Sequence, residues 1–272
     1  MNTDFHFHIP SIANYEVKYY YADTPDERPP KVFPFHLHDQ LEMYILLEGD
    51  VSFAVESSLY KLSPGDAIIS KPNEMHNCIL NSQSVHRHLC FWFDPSSTFL
   101  FDAFLGHDFG KGNHIIPDDE SKKELFGVLD SLRAASEAGE THKQLYLTLH
   151  MLDLYRRFTV NTVAPQALPG VLAEILADIE ENFKSIRSIE YFTTKYYISQ
   201  STLNRLFRTY LHTSPKKYIE TKRLAYSRVL LNRGETVLSA CMESGFSDYS
   251  NYIRLFKNRF EMTPGQYQSQ KP

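Results

Sequence analysis

Ser201-Thr202-Leu203-Asn204-Arg205-Leu206-Phe207-Arg208, followed by Pro215 and Tyr218, returns 49 residues later as Ser250-Asn251-Tyr252-Ile253-Arg254-Leu255-Phe256-Lys257, followed by Pro264 and Tyr267. Self-similarity at a fixed offset marks a duplicated structural unit. Two copies are too few for a solenoid, so the reading is a tandem pair of small modules. Both copies have helical character. Each sets an apolar Leu-Phe pair beside an Arg at one fixed place.

The flanking sequence fills out each module. Leu172, Ile175, Leu176, Ile179 and Phe183 fall on one helix face. Ser188 is expected to cap a helix over 189–196, and Ser199 one over 200–210. Tyr197-Ile198-Ser199 then forms the three-residue turn of a helix-turn-helix. A long helix over about 215–231 carries Pro215 in its first turn. The second unit repeats the plan: a helix over 236–244, the turn Gly245-Phe246-Ser247, and Asp248 capping a helix that runs to Phe260.

Charge separates the two halves. The whole chain carries −5, but residues 1–170 carry −10 and residues 171–272 carry +5. A basic half joined to an acidic one suggests that the C-terminal half meets a polyanion. In the first duplicated helix Leu203, Leu206, Phe207 and Tyr210 form the apolar side. Ser201, Asn204, Arg205 and Arg208 take the other. In the second, Ser250, Asn251, Arg254 and Lys257 lie opposite Tyr252, Leu255, Phe256 and Phe260. Arg can bond guanine, and Asn adenine, with two hydrogen bonds in the major groove. Base reading is therefore assigned to Ser201, Asn204, Arg205, Ser250, Asn251 and Arg254. Arg208 and Lys257, a turn deeper, are assigned to phosphates.

This segment resembles the AraC/XylS family of bacterial transcription regulators over roughly residues 171–268. The strongest stretch is Gly245-Phe246-Ser247-Asp248, Tyr252, Arg254, Phe256-Lys257, Phe260 and Thr263-Pro264. The resemblance implies two helix-turn-helix modules joined by the long helix, with both second helices in successive major grooves of double-stranded DNA. Two positions depart from the family pattern. Tyr197 stands where the first turn usually has Gly, so a left-handed backbone there would be strained. Thr193 takes the usual small-residue place, which Cys241 fills in the second module as a packing residue.

The N-terminal half has a different texture. Residues 1–30 are rich in aromatics and proline without sustained periodicity, and are read as an arm. Short β-prone runs follow at 41–47, 51–55 and 67–70, separated by Glu48-Gly49-Asp50 and Ser63-Pro64-Gly65-Asp66. Two amphipathic helices come next. One is capped by Asp118-Asp119 and carries Leu125, Val128, Leu129 and Leu132. The other spans 141–158 with Leu145, Leu149, Leu152 and Tyr155. This hairpin is expected to mediate a homodimer. The fold class is thus two-domain α+β: a β-barrel with a helical hairpin (1–160), a linker (161–170) and an all-α domain with two helix-turn-helix motifs joined by a long helix (171–272).

His36-Leu37-His38, Glu42 and Gly49, then Gly65-Asp66, Pro72 and His76, resemble the cupin double motif, with Lys71 and Asn73 where the second motif usually has Pro and Gly. The resemblance implies that His36, His38, Glu42 and His76 converge inside the barrel. Three readings stay open: a pocket for a small polar effector such as a sugar, a bound divalent metal (Fe, Mn, Ni or Zn), or a structural polar cluster. No obligatory cofactor is expected. His86, His88, Cys90 and Trp92 share a strand face, and Trp92 would suit stacking on a sugar ring. The sequence does not say which face looks inward.

The leading functional reading is a sequence-specific, effector-controlled transcription regulator, an activator with RNA polymerase as a further partner, and not an enzyme. The alternatives are a metal-dependent cupin enzyme with a DNA-binding appendage and an effector-independent DNA binder. Residues 1–10 lack the basic and then apolar segments of a signal peptide. No apolar run reaches the ~18 residues of a membrane helix. Cys78, Cys90 and Cys241 form no CxxC pair. A cytoplasmic protein with reduced thiols and no membrane partner is expected.

Overall fold

The computed structural model describes residues 35–38, 40–82, 84–93, 100–108, 110–158 and 168–269, and the backbone of two strands at residues 5–9 and 17–24. The chain folds as two compact units, one of residues 1–33 and 37–167 and the other of residues 34–36 and 168–272. The expected linker, 161–170, falls mostly outside the described residues.

Among the described residues nine strands build the first unit: β1 (Phe5–Ile9), β2 (Val17–Thr24), β3 (Leu41–Glu48), β4 (Val51–Val55), β5 (Ser58–Lys61), β6 (Ala67–Ser70), β7 (His76–Leu80), β8 (His86–Phe93) and β9 (His114–Ile115). They form a six-stranded sheet in the order β1-β2-β8-β3-β6-β9 and a three-stranded sheet in the order β5-β4-β7. The segment read as an arm at 1–30 is in part ordered against the domain that follows. Its residues 5–9 and 17–24 are antiparallel strands, and β2 pairs along all of β8, from Val17 opposite Phe93 to Thr24 opposite His86. Backbone pairing does not require an alternating side-chain pattern.

Alternation along β3 sets two cores. Leu41, Met43 and Ile45 join Leu89, Phe91 and Phe93 on one face of the large sheet. Tyr44, Leu46 and Ile68 turn the other way and meet Val51, Phe53, Val55, Tyr60 and Cys78 from between the sheets. The first face is covered by α2 (Asp119–Glu137) and α3 (Thr141–Arg156), with a short α1 (Asp102–Leu105) beside them. The Asp118 side chain accepts the Ser121 N–H to cap α2. Gly139, at φ +69°, makes the turn into α3.

The stripe expected on α3 is corrected. Leu147, Met151, Leu152, Leu154 and Tyr155 are buried, while Leu149 is 40% exposed. Apolar residues lie nearly all round this helix, so period alone left its buried face open. The sheet chose it.

The second unit is helical: α4 (Gly170–Asn182), α5 (Glu190–Lys195), α6 (Gln200–Leu211), α7 (Pro215–Asn232), α8 (Val237–Glu243), α9 (Tyr249–Phe260) and α10 (Pro264–Ser269). Ser199, Ser214, Thr236 and Asp248 each cap a helix by accepting the N–H three residues on. The Ser188 cap is a further correction. α5 starts at Glu190 behind Ile189, which already has helical angles and makes no side-chain cap. Among the described residues no helix is long and apolar enough to cross a membrane.

Candidate nucleic-acid interface and histidine–glutamate cluster

α6 buries Leu203, Phe207 and Leu211, and α9 buries Tyr252 and Phe256. The opposite faces carry the residues read as DNA contacts. Ser201, Arg205, Arg208, Ser250, Arg254 and Lys257 are exposed, and Asn204 and Asn251 are half-buried. Asn251 has a further role: its Oδ1 accepts a 2.7 Å bond from Arg254 Nη2, which holds the guanidinium along the helix. Two further residues stand at equivalent places on these helices. Gln200 and Tyr249 open α6 and α9 and are both exposed. They obey the same 49-residue offset, which would have found them.

Both turns use left-handed backbone, at different cost. Gly245 has φ +92°, and a Cβ there would sit 2.4 Å from the Lys184 carbonyl oxygen, so only glycine fits. Tyr197 has φ +53° and is 95% exposed. The strain expected from the sequence is present, and the ring simply points to solvent.

Buried polar groups fix the modules. Asp178 of α4 accepts from Lys195 (2.9 Å), Asn182 (2.8 Å), Tyr191 (3.1 Å) and Tyr196 (3.1 Å), which pins α5 to α4. Burial alone would raise this carboxyl; its four donors outweigh burial and lower it. Arg223 of α7 donates to the Phe183 and Ile186 carbonyls at the end of α4. Lys222 pairs with Glu180.

The possible ligand atoms of His36, His38, Glu42 and His76 lie within 4.8 Å of one another. Glu42 points from β3 to the inter-sheet side, and His76 opens β7 of the small sheet. Glu42 Oε2 lies 3.0 Å from His38 Nε2 and 3.6 Å from His76 Nε2. His38 Nδ1 donates to the Gln40 carbonyl (2.9 Å) and His76 Nδ1 to the Glu74 carbonyl (2.8 Å). Each Nε2 is thereby turned toward the carboxylate. Burial would raise Glu42, but His76 and His38 hold it well below the usual carboxylate range. Burial would lower His76; Glu42 and the Glu74 carbonyl raise it instead. Asn73 supplies the left-handed turn (φ +65°) expected of a glycine, and its N–H binds the His38 carbonyl at 2.7 Å.

The face of β8 left open by the sequence is now assigned. His86, His88 and Cys90 look inward. Trp92, half-buried, donates from Nε1 to Glu42 Oε2 at 2.7 Å and so joins the cluster. Tyr44 stacks on His88 and meets His86 Nε2 at 2.7 Å. Burial lowers His86 to about 4. Burial, with His86 beside it, lowers His88 to about 3. All three cysteines are free and buried, and burial pushes Cys78 up to about 12.

Residues 192–270 match a helix-turn-helix domain family, and residues 28–92 match a cupin domain family. The chain is similar to the virulence regulon transcriptional activator VirF of Yersinia enterocolitica, at 26% identity over 86% of this chain and 91% of that one. It is also similar to the HTH-type transcriptional activator RhaR of Escherichia coli, at 21% identity over 89% of each. Among solved structures, ToxT of Vibrio cholerae aligns over 94% of this chain and 97% of its own, with 13% identity and a TM-score of 0.39.

Proposed function

Because the chain belongs to the AraC family of transcription regulators, we propose that it reads a specific site on DNA through α6 and α9 and activates transcription in response to a small polar effector held at the His36–His38–Glu42–His76 cluster. It is a regulator and not an enzyme. The observation that carries the DNA reading is the pair of equivalent helices, each with a buried Leu/Tyr-Phe side and an exposed basic side. Selection of bound sequences from a random pool, at two salt concentrations, tests it. Arg254→Ala is expected to cost about 1–3 kcal/mol and to relax preference at one base position. A loss uniform over all sequences would make Arg254 a phosphate contact.

The effector reading is supported by a buried polar set with Trp92 at its edge, and a thermal-shift screen of sugars, polyols and organic acids tests it. A second reading, a divalent metal, is favoured by one observation. Both His38 and His76 spend Nδ1–H on a backbone carbonyl, as histidine ligands of metals do, and their Nε2 atoms lie close to Glu42, itself a possible ligand. Metal analysis of the purified protein decides between them. We further propose that the protein is a cytoplasmic homodimer that engages RNA polymerase. Its dimer contact is assigned to the face of α3 that carries exposed Tyr146 and Leu149.

A further inference from the structure

On the helix-covered face of the large sheet, away from the Glu42 cluster, lies a crevice of about 180 Å³ between β3, β8 and α2. Its mouth is shaped by an irregularity in the strand pairing. Strict alternation would send Leu47 and Glu48 to opposite faces. A bulge between Leu46 and Glu48 instead sets Glu48 opposite Arg87, and both Leu47 and Glu48 line the crevice.

Floor and mouth differ in chemistry. Leu89 and Leu129 are buried, and Phe126 is half-buried above them. Arg87 and Arg133 stand at the mouth, 3.6 Å from Glu48 and 3.8 Å from Asp130. In each pair the arginine is the deeper group: 42% exposed against 54%, and 45% against 80%. Exposed ion pairs of this kind contribute little. A ligand carboxylate can therefore displace either acid at small cost and gain a two-pronged bond to guanidinium. The volume equals about six waters at ~30 Å³ each, well below a drug-sized pocket.

We propose that this crevice is a second small-molecule site, and that its ligand is a compact carboxylate with an apolar body of about six carbons. The carboxylate meets Arg87 and Arg133, and the body lies on Leu89, Leu129 and Phe126. A free aliphatic acid and an apolar α-amino acid share this chemistry; the ammonium group of the latter would face Glu48 or Asp130.

Calorimetric titration of the full chain with 4-methylpentanoate, leucine and 3-methylbutylamine tests it. At least one of the two carboxylates is expected to bind with a Kd of about 1 mM or tighter, and the amine not to bind. Binding by the first alone identifies a simple acid, and tighter binding by leucine an amino acid. Arg133→Gln and Arg87→Gln should each weaken binding at least tenfold. Both side chains are about half exposed, so the fold should survive. Leu47→Trp, which fills the mouth without removing charge, should abolish binding. His38→Ala should leave the Kd unchanged. The proposal is overturned by silence from both carboxylates, by equal binding of the amine, by binding that survives both arginine variants or Leu47→Trp, or by loss of binding in His38→Ala.

Discussion

Gly245 and Tyr197 occupy comparable turns and predict opposite responses to substitution. At Gly245 any Cβ meets the Lys184 backbone at 2.4–2.9 Å. Gly245→Ala is therefore expected to destabilise by about 2 kcal/mol or more, seen as a lower unfolding midpoint. At Tyr197 the side chain is in solvent, and only the left-handed backbone is strained. Tyr197→Gly should stabilise by up to about 1 kcal/mol, strain relief being set against the greater unfolded-state freedom of glycine. A drop in midpoint for Tyr197→Gly would show that the left-handed backbone there stores less strain than the added chain freedom of glycine costs. The glycine was legible in the sequence because its turn is a local pattern. The cluster around Glu42 was legible through motif spacing, although His36 and His38 precede β3 and are not on it. The bond from Trp92 to Glu42 was not, because it spans 50 residues and depends on strand register.

At the scale of elements, caps and amphipathic period gave α2, α6, α7 and α9 to within a residue or two, since both signals are local. The faces of β8 needed the tertiary structure, because polar and apolar residues alternate there and both sides are buried. That burial has a pH consequence. Folded, His86 stays neutral down to about pH 4 and His88 to about pH 3. Unfolded, both take up protons near pH 6.5. The unfolded state binds more protons below that point, so stability falls as pH drops from 6.5 toward 4. The slope is up to about 1.4 kcal/mol per pH unit for each group. Urea midpoints at pH 7, 6 and 5 should show this decline, and His86→Gln with His88→Gln should flatten it. Equal slopes in both proteins would mean that these histidines are hydrated when folded. On the same sheet, Leu132→Ala in α2 should cost about 2–5 kcal/mol, because Leu132 is fully buried in the core beneath the hairpin.

For the whole molecule the hairpin matters most. Its main apolar surface packs on the sheet of its own chain, which the sequence could not distinguish from a surface kept for a second copy. What α3 leaves outside is Tyr146, stacked on His150, and Leu149. Tyr146→Asp with Leu149→Asp is expected to give a folded monomer in sedimentation; a dimer that persists moves the contact elsewhere. Affinity for non-specific DNA should fall steeply with rising salt, as for any protein that neutralises phosphates with lysine and arginine. The two reading helices are copies in sequence, but their mountings are not. One hangs from a turn whose odd residue lies free in water, where almost any side chain can stand. The other is wedged against backbone that admits no atom more. Drift in the gene can retune the first reader and is barred from retuning the second. Across the promoters this protein serves, the half-site under α9 should then be the fixed word and the half-site under α6 the variable one.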